Sequence, residues 1–102
     1  MYIITKSTYP NDKVKEVSEM YIKCLTKYPD DASLGTPLVP VALRPSPEGI
    51  EALTITDVKK GKLEDALNLA RNRLAMFWSI TGYRYKIEFY ANIEEAMKLM
   101  NA

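Results

Sequence analysis

Leu38-Val39-Pro40-Val41-Ala42-Leu43-Arg44-Pro45-Ser46-Pro47-Glu48-Gly49-Ile50 is the stretch on which the fold turns. Its first six residues are apolar and rich in β-branched side chains, as in a strand, yet Pro40 sits among them. Proline lacks the amide proton that an interior strand needs, so this strand belongs at the edge of a sheet. Pro45-Ser46-Pro47-Glu48-Gly49 is dense in turn formers, and Ile50 to Val58 resumes as a strand with Ile50, Leu53 and Ile55 among threonines. The whole reads as a β-hairpin with one open edge.

Upstream of the hairpin, Tyr2 to Tyr9 begins with β-branched and aromatic residues and stops at Pro10-Asn11-Asp12, a strand followed by a helix start with Asn11 or Asp12 as N-cap. Val14, Val17, Tyr21, Cys24, Leu25 and Tyr28 then recur at helical spacing until Pro29 ends the helix. Downstream, Gly61 serves as an N-cap with Glu64 and Asp65 facing the positive end of the helix dipole. Leu63, Ala66, Leu67, Ala70, Leu74, Phe77 and Trp78 form the strongest amphipathic stripe in the chain, and Gly82 is placed as the left-handed residue beyond it. Tyr83 to Tyr90 alternates aromatic or aliphatic with charged residues, a strand with one buried face. Asn92 and Glu95 form a capping-box variant that opens a short last helix through Met97 and Met100.

The order is therefore β-α-β-β-α-β plus a short helix, in one domain spanning residues 1–102. Two crossover helices and a central hairpin predict an α+β, ferredoxin-like domain: a four-stranded antiparallel sheet of order 4-1-3-2 with both helices on one face. The second and fourth strands are then the edges, which suits Pro40 in one and Arg84, Lys86 and Glu88 in the other. Strand two offers Val39, Val41 and Leu43 to one face and Leu38, Pro40 and Ala42 to the other, where a solvated face would alternate with polar groups. A second copy of the chain, packed sheet to sheet or through the edges, is the economical cover, so a homodimer is expected.

In its element order, its hairpin after Leu38–Leu43, its Gly61-Lys62-Leu63-Glu64-Asp65-Ala66 helix entry and its Gly82-Tyr83-Arg84-Tyr85 return, the chain resembles the dimeric α+β barrel superfamily. The resemblance covers nearly the whole chain and implies a dimeric α+β barrel. Members include cofactor-free monooxygenases, haem-degrading enzymes, isomerases and ligand-sensing domains. The absence of histidine sets this chain apart from the haem-binding members.

Composition narrows the chemistry. Fourteen Lys and Arg against thirteen Asp and Glu leave a net charge of +1, with no basic run to neutralise several phosphates, so nucleic acid is not an expected partner. No apolar run approaches the ~20 residues that span a bilayer, and no membrane partner is expected. A lone cysteine, Cys24, and an N-terminus without a signal-peptide layout predict a cytoplasmic protein. Without histidine there is no Ser-His or Cys-His nucleophile pair, and no ligand spacing supports a metal, so neither a metal nor a cofactor is expected.

Cys24 lies at or beside the apolar stripe of the first helix and reads as a core thiol. The remaining candidates are aromatic. Tyr21, Tyr28 and Trp78 on the helices and Tyr85 on the last strand form either a packed aromatic core or the wall of a pocket for a planar organic ligand. Arg44 before the hairpin turn, and Arg71 or Arg73 on the second helix, are candidates to anchor a carboxylate there. The functional expectation is a small homodimer binding an apolar or aromatic molecule between sheet and helices, with cofactor-free catalysis by Asp, Glu or Tyr left open. The alternative is a non-catalytic interaction or ligand-sensing module with a filled interior.

Overall fold

A computed structural model describes residues 1–101. β1 (Tyr2–Tyr9) leads through a 3-10 turn at Asn11–Lys13 into α1 (Val14–Lys27). β2 (Gly35–Ser46) and β3 (Gly49–Val58) form the hairpin, α2 (Leu63–Ala75) crosses back to β4 (Arg84–Tyr90), and α3 (Ile93–Asn101) follows. The four strands make one antiparallel open sheet in the order β2-β3-β1-β4, the expected order read from the other edge. The α+β architecture is compatible with a ferredoxin-like fold.

Period-two alternation in β1 divides the two faces of the sheet. Ile3, Ser7 and Tyr9 are buried on the helix side. Tyr9 packs with Val17 and Cys24 of α1 and with Phe77 and Ile80 beyond α2, while Ile3 packs with Val58 and Ala66. Both long helices thus cover the same face. On the other face, the register brings Thr8 beside Glu51 and Arg84, Lys6 beside Leu53 and Lys86, Ile4 beside Ile55 and Glu88, and Tyr2 beside Asp57 and Tyr90. Lys6 and Lys86 are direct neighbours, and Glu88 relieves their repulsion with a carboxylate oxygen 3.1 Å from Lys6 Nζ. The apolar open face inferred from β2 is therefore not general: β1, β3 and β4 carry charged groups there.

Several local expectations are corrected. Neither Asn11 nor Asp12 caps a helix with its side chain; Pro10 occupies the N-cap of the 3-10 turn and Lys13 that of α1. Lys62 takes the N-cap of α2 in place of Gly61, which has φ +79°. α2 ends at Ala75, and the chain tightens into i to i+3 hydrogen bonds from Met76 to Arg73, Phe77 to Leu74 and Trp78 to Ala75. That tightening rotates the end of the stripe. Phe77 stays buried, whereas Trp78 is 70% exposed. Strict alternation in β2 fails for a related reason. The pairing with β3 slips between Pro37 and Val39 and again between Val39 and Ala42, the second interval containing Pro40, where the missing donor weakens the ladder.

Other local readings hold. Gly82 adopts φ +84° after the tight turns, as the end of the second helical segment requires. The capping box is complete, with Asn92 N–H donating to Glu95 Oε1 at 3.0 Å and Glu95 N–H to Asn92 Oδ1 at 2.9 Å. Glu95 also meets the Met1 ammonium at 2.6 Å. The ammonium, and next the Asn92 amide, hold its carboxyl below the usual glutamate range.

This lowered pKa stabilises α3 above the ordinary glutamate value of about 4.3, and the contribution disappears as pH falls through the folded-state value. Protection of the amides in Ile93–Asn101, referred to the intrinsic exchange rate at each pH, is expected to fall on acidification before that of the sheet, and Glu95→Ala should lower it in the same way at neutral pH. Equal protection of α3 in that variant would show that packing, rather than the cap, holds the helix. The exposure of Ile93, Met97 and Met100 argues against such packing.

A cleft between sheet and helices

A cleft of about 650 Å³ lies between the sheet and the helices. Among the described residues, no large side chain is completely buried. The floor of the cleft comes from the helix-side positions of the two central strands, Ile3, Thr5, Ser7 and Tyr9 of β1 and Ala52, Thr54 and Thr56 of β3. Tyr21 and Cys24 of α1 and Ala70, Arg73 and Leu74 of α2 line the opposite wall. Val41 and Leu43 of β2 and Ile22 and Leu25 of α1 stand at its exposed side, all of them open to solvent.

One end of the cleft is closed by aromatic rings. Tyr83 stacks on Phe77 at 4.8 Å between centroids and on Tyr9 at 5.9 Å, with interplanar angles of 16° and 8°. Tyr85 lies tilted against Tyr83 at 6.5 Å, and its hydroxyl accepts a 2.8 Å hydrogen bond from Trp78 Nε1–H. Burial pushes the Tyr83 phenol above its ordinary range, partly offset by a hydrogen bond with Ser7; burial raises Tyr9 as well. Both phenols are therefore neutral at physiological pH, and each serves as a hydrogen-bonding group on an apolar wall.

The polar groups of the floor are hydroxyls. Thr5 and Thr54, opposite each other in the β1–β3 register, hydrogen-bond through their side chains. In a pair of hydroxyls only one proton lies between the oxygens, so the other remains to be given elsewhere. Cys24 is buried, with its thiol directed to the Arg73 carbonyl at 3.7 Å. Burial raises its pKa and the Arg73 charge only partly opposes this, so the sulfur stays a thiol at neutral pH and packs as a small hydrophobe.

Arg73 is the cation of the cleft, and it is already engaged. Its Nε and Nη2 donate to the Tyr28 carbonyl at 2.9 and 2.6 Å, and Nη2 also meets Asp30 at 2.9 Å. The guanidinium thereby ties the end of α1 and the loop after it to α2.

The five residues singled out from the sequence are dispersed. Tyr21 lines the cleft. Tyr28 contributes its carbonyl to Arg73, and its ring lies 5.5 Å from the Lys27 ammonium. Trp78 and Tyr85 bond to each other outside the cleft, behind the Tyr83 ring. Arg44 lies on the opposite side of the molecule, paired with Glu51 beside a shallow groove that Tyr85, Arg84 and Lys86 also line. Arg71 is exposed and Arg73 enters the cleft.

The threonines and serine of the floor were missed by sequence reasoning. Their signal is nevertheless legible: Thr5, Ser7, Thr54 and Thr56 place small hydroxyls at period two on the strand faces that the helices cover, where aliphatic side chains would fill the space. No group of three or more Cys, Asp or Glu side chains among the described residues is arranged to hold a metal ion, and no helix there is long and apolar enough to cross a membrane. No family model, curated protein or solved structure matches the chain.

Proposed function

We propose that the chain binds a small, neutral, apolar or aromatic molecule between its sheet and helices, and does so as a homodimer. The observation that carries this reading is the cleft itself: several hundred cubic ångströms, apolar walls, neutral phenols and a few hydroxyls able to orient a ligand. Its walls carry no carboxylate beyond Asp30 and Asp31, which belong to the exposed loop after α1. That chemistry favours recognition over proton transfer. Self-association is supported by apolar side chains left in water on the edge strand β4, among them Phe89 at 46% exposure and Tyr90 at 48%.

Thermal denaturation with a panel of planar and aliphatic probes, 2-naphthol among them, tests the binding reading. A probe present at about 100 times its dissociation constant stabilises the native state by about 2.7 kcal/mol. Ala70→Phe, which projects a ring from α2 into the cleft, is expected to leave the midpoint unchanged or higher without a probe and to abolish the probe-induced shift. A panel that never moves the midpoint, or a filled variant that responds like the wild type, would sink the proposal.

The stripe Ile93, Met97 and Met100 on α3 favours a second reading, a partner-binding module in which the cleft plays no part. Deleting α3 would abolish partner capture under that reading while leaving the probe response intact.

A further inference from the structure

The two open edges of the sheet are chemically unlike. β2 carries Pro37, Pro40 and Pro45 and slips register twice, so it offers a broken row of donors. β4 is paired only with β1, contains neither proline nor glycine, and exposes Tyr85, Phe89 and Tyr90. Among the described residues, Arg84 and Lys86 make no ion pair.

From this edge we infer that β4 pairs antiparallel with β4 of a second copy, about a twofold axis through Ile87, joining the two sheets into one of eight strands. The inference rests on the homodimer reading above and specifies its geometry. A twofold axis perpendicular to the sheet sets each residue opposite one of the same face, so the axis must pass through a residue and not between two. Placed at Lys86, it would set Lys86 against Lys86 and line up four ammonium groups with the adjacent Lys6 residues. Placed at Glu88, it would oppose two carboxylates. Placed at Tyr85, it would set Arg84 against Lys86 on both sides.

At Ile87, the middle residue of the strand, every opposed pair is favourable. Lys86 meets Glu88 of the second copy and Glu88 meets its Lys86. Tyr85 faces Phe89, Arg84 faces the ring of Tyr90, and Ile87 faces itself. The register uses all seven residues and gives the two unpaired cations partners. The charges of β4 thus act as a selector of one partner and one alignment.

Sedimentation velocity on the full chain tests this with Lys86→Glu and Glu88→Lys. The wild type is expected to be dimeric at micromolar concentration. Each variant alone turns two attractive pairs into repulsive ones and should raise the dissociation constant at least about tenfold. An equimolar mixture of the two variants should dimerise like the wild type, because every replaced position then faces the opposite charge.

A cysteine trap gives an independent readout. Opposed Cα atoms in such a pair lie within disulfide range, so chains carrying both Lys86→Cys and Glu88→Cys should form a covalent dimer on oxidation, and either substitution alone should not. A wild type that stays monomeric overturns both this geometry and the homodimer reading. A wild-type dimer indifferent to the charge exchanges, or an unrestored mixture together with no cross-link, overturns the β4 register and leaves the homodimer standing.

Discussion

Replacing Phe77 by alanine is expected to cost about 3–5 kcal/mol of folding stability, the usual range for emptying a buried aromatic site. Phe77 is buried with Tyr9, Val17, Cys24 and Ile80, and its ring is the first layer of the stack that continues through Tyr83 to Tyr9. The stack adds a geometric contribution of about 0.5–1.5 kcal/mol per aromatic pair beyond area burial. A hollow domain has few other places to recover the loss, since the centre of its interior is cleft and not packed side chains. Total stabilities of small domains are about 5–15 kcal/mol, so the variant should sit near its unfolding threshold. A urea titration measures this directly. A loss below about 1 kcal/mol would mean that the aromatic end of the cleft is not the anchor of the fold.

Gly49→Val is expected to detach the β2–β3 hairpin from β1. Gly49 has φ +131°, a region that side chains with a Cβ rarely adopt, and a Cβ built there would run into the Tyr9 carbonyl and approach Pro10 Cα at 3.1 Å. Both neighbours are backbone, the last residue of β1 and the residue after it, and Tyr9 cannot yield without opening the ladder where it pairs with Ile50. Conformational strain and overpacking together give a cost of about 3 kcal/mol or more. For a domain of this size that lowers the melting midpoint by more than about 10 °C. The same variant should show faster amide exchange in β3 than in β4. Uniform exchange would indicate that the whole sheet opens as one unit and that the hairpin has no separate attachment.

The elements that were legible beforehand share a property: their signal is carried by the spacing or chemistry of a few adjacent residues. Pro40 marked an edge because a missing donor has the same consequence in any sheet. Asn92 and Glu95 marked a helix start because both bonds of the box close within four residues. Trp78 illustrates where such reasoning stops. Its position continues the stripe of Leu63, Leu67 and Leu74, yet the turn after Ala75 tightens and the indole is turned outward to bond Tyr85. Tyr28 and Arg44 carry side chains able to bind a ligand. Tyr28 instead contributes its carbonyl to Arg73, and Arg44 lies across the sheet from the cleft.

Order and type of the elements and the edge position of β2 were determined by the sequence alone, because periodicity and proline act over one or two turns of chain, whereas Val14, Leu25 and Trp78 of the helix stripes are exposed. The separation between the sheet and its helices was decided only in the tertiary structure. It depends on how Arg73 ties the two helices together and how the Tyr83 stack closes one end, and on small hydroxyls standing where larger side chains would have filled the gap. These are sums of contacts between residues far apart in the chain, and no local pattern records whether such a sum closes the space or leaves a cleft.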